Sequence, residues 1–326
     1  MRKLSYKDAI REAIQQSMQM DESVFVYGQG VDDAQGVFGT SLDLAKVFGC
    51  DRVFDVPVSE NALTGIGIGA SILGMRPIMV NQRIDFTLLA LDQIANHAAK
   101  IRYMWGGHVS VPFVIRSIVG RGWGQGSQHS QSFYSIFPHF PGLNVVIPSN
   151  AYDAKGLLME AIRDNNPVIT VEHKSLLNLE DDVPEEIYYI PFGKGKLVKE
   201  GKDVTVVAFS QMVVEAKKAS EKLLEEGIDI EIIDLRTAYP LDEAIIKESI
   251  TKTGRLVIAD IDWVNCGMTA EISARMSDKY FNLLKAPIKR IGLPHAVHPS
   301  SYALEEIFYP DKENIIEMTR NIVNGV

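Results

Sequence analysis

Two short segments of the sequence carry side chains suited to acid–base chemistry, and the first contains Glu60. This carboxylate lies where the strand-like run RVFDVPVS passes into a helix-like run of small residues, with Ser59 as the expected helix cap. Open α/β sheets bind ligands beyond the carboxyl ends of their strands, so Glu60 stands where a ligand would bind. An acid in a first helical turn also stabilises the helix dipole by about 0.3–1 kcal/mol. Taken alone, the local sequence favours the role of Glu60 in stabilising the helix over a role in binding a ligand.

The second segment is a glycine-rich loop, residues 120–131, which ends in a histidine between polar residues. Glycine lets the backbone approach a ligand closely, and histidine transfers protons near neutral pH. His129 is therefore a candidate for proton transfer, with an exposed loop histidine as the alternative. The loop lacks the lysine and the hydroxyl residue that a Walker-type phosphate loop requires.

Other motifs in the sequence indicate no further chemistry. Residues 65–70 match the letters of a dinucleotide fingerprint, but they follow residues that already read as helix, whereas a true fingerprint opens the helix. Small residues within a helix instead favour close packing. The histidines and the two cysteines, Cys50 and Cys266, lack metal-ligand spacing, and there is no nucleophile elbow.

Strand-like and helix-like segments alternate along most of the chain. This alternation predicts an α/β fold with parallel sheets covered on both faces. Ser5 and Asp8 predict the cap of the first helix. An acidic, proline-containing stretch at 181–202 reads as a linker, which divides the chain into two doubly wound domains, 1–180 and 203–326.

Composition argues against nucleic acid as a partner and against a membrane span, and it indicates the redox environment of the chain. With 33 basic and 42 acidic residues the net charge is −9, which offers no field for nucleic acid. No apolar run is long enough to span a bilayer. Two distant cysteines fit a reducing cytoplasm better than a disulfide framework.

Several segments taken together resemble one family. FDVPVSENALTGIGIGASILG, DFTLLALDQIANHAAKIRYMWGG, QHSQSFYSIFPHFPGLNVVIPS and DLRTAYPLD resemble the beta subunit of the decarboxylating component of 2-oxo acid dehydrogenase complexes. That family belongs to the transketolase-like thiamine diphosphate enzymes. The resemblance implies an N-terminal pyrimidine-binding domain and a transketolase-like C-terminal domain.

The resemblance also implies roles for individual residues. Glu60 would accept a hydrogen bond from the N1′ nitrogen of the cofactor's aminopyrimidine and so couple the acid–base chemistry of the ring. Phe86 would stack on the pyrimidine, with Val58 and Gln82 lining the same pocket. His129 matches the family's active-site histidine, which faces the reaction centre.

A structural potassium ion is a further implication of the resemblance. In several family members this ion is held largely by main-chain carbonyls in a region similar to one in this chain. The corresponding residues here are Phe113, Ala161, Ile162, Asp164 and Asn166. Hard oxygen ligands suit such a cation.

The family's GDG motif for Mg²⁺ and the diphosphate is absent from this chain. In the family that motif lies on the alpha subunit, so the resemblance implies an active site shared between chains. The expected assembly is an α2β2 heterotetramer with a second beta chain at its centre.

Departures from the family pattern leave the reaction partly open. Gln29 stands where the family usually has an acidic residue. Arg83 puts a cation beside the cofactor pocket, where it could recognise an anionic group. The C-terminal segment LPHAVHPSSYALEEIFYP diverges from the family's usual pattern. The leading hypothesis is a 2-oxo acid dehydrogenase that passes an acyl unit to a lipoyl acyltransferase. The alternatives are a split transketolase-like carboligase and a non-catalytic assembly subunit.

Overall fold

The structure is a computed structural model that describes residues 2–122 and 124–325. It forms two compact units. Unit 1 contains the chain up to Gly120 together with Ile136–Phe192, and unit 2 contains Arg121–Ser135 together with the chain from Gly193 onward. Each unit has its own sheet with helices beside it, so the predicted α/β class with two domains is confirmed.

Unit 1 is built on a parallel sheet. Its strands are β1 (Arg2–Ser5), β2 (Val24–Gly28), β3 (Val53–Phe54), β4 (Arg76–Asn81), β5 (Val114–Val119), β6 (Asn144–Val146), β7 (Val168–His173) and β8 (Glu180–Val183). The parallel strands run in the order β6-β7-β5-β4-β2-β3, while β1 and β8 form a separate antiparallel pair. β4, β5 and β7 are almost wholly buried, as expected for strands covered on both faces.

Five α-helices accompany this sheet. They are α1 (Tyr6–Met20), α2 (Leu44–Phe48), α3 (Glu60–Ile72), α4 (Ile101–Met104) and α5 (Ala151–Arg163). The predicted cap of α1 is confirmed, because the Ser5 side chain accepts from the Asp8 amide at 3.3 Å. A 3₁₀ helix, Ile84–Ala90, follows β4 and packs against α3.

Unit 2 has a smaller parallel sheet. The strands of unit 2 are β9 (Lys196–Lys199), β10 (Val204–Ala208), β11 (Ile230–Asp234), β12 (Thr237–Tyr239), β13 (Leu256–Trp263) and β14 (Lys289–Leu293), and all of them except β12 belong to this sheet. The order β14-β13-β10-β11-β9 is parallel except for β9. Its α-helices are α6 (Gln211–Glu225), α7 (Glu243–Thr253), α8 (Met268–Tyr280), α9 (Tyr302–Phe308) and α10 (Lys312–Asn324).

The stretch at 181–202 has more regular structure than its composition indicates. β8 pairs with β1, and β9 pairs with β11. The fully buried ammonium group of Lys155 also donates to the carbonyl oxygens of Pro184, Glu185 and Glu186. Strand partners and a buried donor supply the hydrogen bonds that a solvated linker would take from water.

No helix within the described part of the chain is long and apolar enough to cross a bilayer.

Candidate active site

Glu60 is the first residue of α3, and its side chain is almost buried, with 6% of the residue exposed. Ser59 occupies the predicted N-cap position of α3, but its side chain makes no capping hydrogen bond. With φ −165° and ψ 67°, Ser59 departs from the extended geometry typical of caps. The first turn is held instead by Thr64, whose hydroxyl donates to the Glu60 main-chain oxygen at 2.7 Å.

Close packing fixes the position of α3. The Tyr27 hydroxyl donates to the Leu63 carbonyl at 2.8 Å. A Cβ added to Gly67 would lie 2.7 Å from the Phe113 ring and closer still to the Tyr27 hydroxyl. Gly67 therefore serves close helix packing, as its position inside the helix predicted.

The Glu60 carboxylate has no hydrogen-bond or ion-pair partner among residues 2–122 and 124–325. A buried carboxylate is costly unless its oxygens accept hydrogen bonds, although the helix N-terminus favours the charge. Glu60 is therefore an acceptor available to a donor from outside the described chain.

The other pyrimidine-pocket candidates lie directly after β4, in the 3₁₀ helix that follows it, and just before α3. Gln82 donates from its side-chain nitrogen to the Gln29 carbonyl at 2.9 Å. Phe86 lies in the 3₁₀ helix that packs against α3, where the Asn61 amide also donates to the Leu89 carbonyl at 3.3 Å. Val58, two residues before Glu60, is 76% exposed.

Arg83 is 3% exposed, and its Nη1 donates to the Gly120 carbonyl at 2.8 Å. Its guanidinium thus engages main chain at the end of β5, whereas its position in the sequence suggested recognition of an anionic group. Burial, followed by the charge of Arg83, lowers the pKa of Lys174 to about 8. Sequence reasoning missed Lys174, because only the adjacency of strand ends brings it near Arg83.

His129 belongs to unit 2 and follows a 3₁₀ turn, Gly126–Gln128, at the end of the glycine-rich loop. Gly126 has φ +63°, and a Cβ there would overlap Ser300. The Ser127 hydroxyl donates to the His298 carbonyl at 3.1 Å. The loop is therefore fastened to the divergent C-terminal segment, and His129 is half-buried beside it.

Unit 2 also contains a pair of buried carboxylates that sequence reasoning missed. Asp260 and Asp262 are 0% and 1% exposed and lie two residues apart on β13. The Tyr134 hydroxyl and the Ile261 amide donate to one oxygen of Asp260. Burial raises the pKa of both carboxyls, and the charge of Asp262 raises that of Asp260 further. The sequence signal that could have revealed this pair is the presence of two acidic residues within an otherwise apolar strand.

The region predicted to bind potassium is already rich in hydrogen bonds. Arg76 donates from Nη1 to the carbonyls of Ile162 and Asp164, each at 3.0 Å. The Phe113 carbonyl accepts from the Val168 amide at 2.9 Å. The described residues contain no group of three or more His, Cys, Asp or Glu side chains arranged to hold a metal ion.

Comparison with protein families divides the chain at nearly the same place as the fold. Residues 2–180 match the transketolase pyrimidine-binding domain, and residues 193–315 match the transketolase C-terminal domain.

Curated relatives extend the match to the whole chain. The beta subunit of acetoin:2,6-dichlorophenolindophenol oxidoreductase from Cupriavidus necator is 45% identical, with 99% of this chain and 98% of the relative covered. The beta subunit of the pyruvate dehydrogenase E1 component from Gracilaria tenuistipitata is 42% identical, with 97% and 98% covered. The chain belongs to this beta-subunit family of transketolase-like enzymes. The resemblance inferred from the sequence is thereby confirmed, and the family implies thiamine diphosphate as cofactor.

A solved structure shares the family's fold. It is described as a split-gene transketolase in an inactive beta4 tetramer. Its TM-score is 0.82 at 22% identity, with 99% of each chain covered.

Proposed function

We propose that the chain is the beta subunit of a thiamine diphosphate-dependent dehydrogenase of the 2-oxo acid type, active only with an alpha subunit. The observation that carries the proposal is the Glu60 carboxylate, nearly buried at the start of α3 and without a partner in the described chain. Relatives named as pyruvate dehydrogenase and acetoin oxidoreductase beta subunits support it.

The residues near α3 fit the pyrimidine end of the cofactor. Glu60 would accept a hydrogen bond from a ring nitrogen and hold the proton there. Phe86 would offer a ring for stacking, and Gln82 and Val58 would line the pocket. Thiamine diphosphate, when bound, supplies the carbanion stabilisation that the protein lacks. The protein's part is orientation and placement of charge.

His129 is the proposed second catalytic group. An imidazole can donate or accept a proton near neutral pH, or stabilise developing negative charge as a cation. The hydrogen bond from Ser127 to the C-terminal segment keeps the preceding loop in place. The loop is thus an anchored support for His129.

The proposed assembly is an α2β2 heterotetramer with a second beta chain. The alpha subunit would hold Mg²⁺ and the diphosphate, since the GDG motif is absent here. A lipoyl acyltransferase would receive the acyl unit. The two cysteines are unpaired and exposed, which supports a cytoplasmic location.

A potassium ion at the carbonyls of Phe113, Ala161, Ile162, Asp164 and Asn166 is also proposed. Each carbonyl oxygen has two lone pairs, so those of Ile162 and Asp164 can accept from Arg76 and still bind a cation. A rise in the melting temperature of the complex with K⁺, beyond that with Na⁺ at equal ionic strength, would support this site.

The decisive experiment uses the chain co-expressed with its alpha subunit. Glu60→Gln should lower cofactor-dependent turnover by about 10²–10⁴-fold, because the amide cannot provide the same proton coupling. Glu22→Gln, at an exposed acid of unit 1, is the matched control and should leave turnover unchanged. Unchanged turnover in Glu60→Gln would refute the catalytic assignment and favour an assembly role. Turnover by the beta chain alone would refute the shared site.

A further inference from the structure

The sheet of unit 2 reverses its strand order next to β10. The chain leaves β10 for β11 on one side, and it later returns through α7 to β13 on the other side. Open α/β sheets bind their ligands at such a point, in the crevice beyond the carboxyl ends of the two strands. In unit 2 this position lies beyond Ala208 of β10 and Ala259 of β13, which are register partners.

A side chain of the same unit occupies this position. Tyr134 is 0% exposed, and its ring meets that of Phe209, the residue after β10, edge-on with the centroids 6.1 Å apart. The Tyr134 hydroxyl donates to Asp260 of β13. The segment that carries His129 therefore takes the place that a ligand has in other sheets of this kind.

Two aspartates of β13 hold the end of this segment. Besides the Tyr134 hydroxyl on Asp260, the Ser135 amide donates to Asp262 at 3.3 Å. Burial, followed by the charges of Asp260 and Asp262, raises the pKa of Tyr134, so its hydroxyl keeps its proton and remains a donor. Both aspartates are buried, and a hydrogen bond in a medium of low dielectric is electrostatically stronger than the same bond in water.

The other end of the segment is fastened separately. The Ser127 hydroxyl donates to the His298 carbonyl at 3.1 Å, and Gly126 packs so closely on Ser300 that a Cβ would overlap it. His129 thus lies between two anchors, one before it and one after it in the sequence.

The chain between His129 and the second anchor is held along its length. Ser130 and Ser132 are 0% and 2% exposed, and the Tyr134 amide donates to the Ser132 carbonyl at 2.7 Å. Every second residue after His129 is therefore buried as far as Tyr134. Closely packed interiors transmit displacement, so a shift of Tyr134 is passed along the segment to His129.

We propose that Tyr134 and Asp260 are positioning residues that fix the place of the His129 imidazole for the reaction. The inference rests on the proposed function, in which His129 is a catalytic group, and adds the residues that hold this group. Both act through the main chain of the segment, without contact to cofactor or substrate. A misplacement of about 1 Å can lower the rate by about 10²-fold, so the loss of one buried hydrogen bond is enough to affect turnover.

The first test is steady-state kinetics of the chain co-expressed with its alpha subunit, with pyruvate as substrate and a dye as electron acceptor. Tyr134→Phe keeps the ring and removes the donor, so kcat should fall about 10–10²-fold while KM changes less than about twofold. Asp260→Leu removes the acceptor and should act in the same direction. Asp260→Asn keeps an acceptor oxygen and should retain most of the activity.

Tyr6→Phe is the matched control. It removes a buried tyrosine hydroxyl from unit 1, where that hydroxyl donates to the Pro148 carbonyl at 3.3 Å. This variant should leave kcat unchanged. An equal loss of kcat in Tyr6→Phe and Tyr134→Phe would assign the effect to general destabilisation and overturn the inference.

Hydrogen–deuterium exchange of the same complexes measures the hold on the segment without turnover. Amides of residues 126–133 should exchange at least about tenfold faster in Tyr134→Phe than in wild type. They should exchange at the wild-type rate in Asp260→Asn and Tyr6→Phe. In an active complex, wild-type kcat and exchange in Tyr134→Phe, or a change in one without the other, would overturn the inference.

Failure of the proposed function has a different signature. In that case His129→Ala would leave turnover unchanged, whichever way the exchange of residues 126–133 responds. If the wild-type complex did not oxidise pyruvate, exchange in Tyr134→Phe would decide by itself whether this anchor holds the segment.

Discussion

The Nη1 of Arg83 donates to the main-chain carbonyl of Gly120 across 2.8 Å and so ties the residue after β4 to the end of β5. Gly120 is also the first residue of the glycine-rich loop and the last residue of unit 1 before the chain enters unit 2. Because Arg83 is 3% exposed, this hydrogen bond is shielded from water. The contact fixes where the chain leaves the sheet.

Arg83→Met should therefore destabilise the protein. The Gly120 carbonyl would remain buried without this donor, at a cost of about 1–3 kcal/mol. The pKa of Lys174 should rise from about 8, since a neighbouring positive charge is removed while its burial remains. Urea unfolding and NMR titration of the lysine measure the two effects. Lys46→Met, at an exposed lysine, should change stability by less than about 0.5 kcal/mol.

Gly67→Ala and Gly69→Ala should have opposite effects on stability, although both lie in α3. A Cβ at Gly67 would overlap Phe113 and Tyr27, which should cost about 1–3 kcal/mol. Gly69 is exposed with nothing within 4 Å, so alanine there should gain up to about 1 kcal/mol from helix propensity. Thermal unfolding of the two variants checks this. Equal shifts would contradict the packing role of Gly67.

Asp260→Asn should remove a pH dependence of stability. Burial, and then the charge of Asp262, raises the pKa of Asp260 to about 7. Between about pH 4 and 7 the folded chain keeps a proton that the unfolded chain releases, so this residue lowers the stability as the pH rises through that window. Asparagine keeps the acceptor for Tyr134 and cannot ionise. The variant should be more stable than wild type at pH 8 by on the order of 1–3 kcal/mol, with a smaller difference at pH 4.

Denaturant unfolding at both pH values measures this effect. Asp51→Asn, at an exposed carboxylate, serves as the control and should follow the wild type. A constant difference between Asp260→Asn and wild type across the window would show that Asp260 is ionised throughout.

His129→Ala should lower kcat of the co-expressed complex by about 10²–10⁴-fold, as for loss of a proton-transfer group. Cofactor binding, followed by tryptophan fluorescence, should be unchanged because His129 is not among the residues proposed to hold the pyrimidine. His108→Ala, at an exposed histidine of unit 1, is the control. Loss of cofactor binding in His129→Ala would assign the residue to binding instead.

Much of the fold and the identity of the first candidate residue followed from local patterns. Alternating apolar strands and amphipathic helices predicted the α/β class, and Ser5 with Asp8 predicted the start of α1. Glu60 was predicted at a strand–helix junction, where the structure places it. Ser59 was also predicted at the N-cap position where the structure has it, but its side chain makes no capping hydrogen bond, because that bond depends on backbone angles that residue type does not determine.

By itself the sequence determined the alternation of the main buried strands and amphipathic helices, because burial on one or both faces imposes a period of apolar residues that is readable along the chain. Only the tertiary structure decided that Glu60 has no partner in the described chain, that Arg83 engages Gly120, and that Tyr134 meets Asp260 across 126 positions. These relationships depend on which strands lie next to each other in a sheet, and that order follows from the packing of the whole unit. The spacing of apolar residues within one segment carries no information about its neighbours in the sheet.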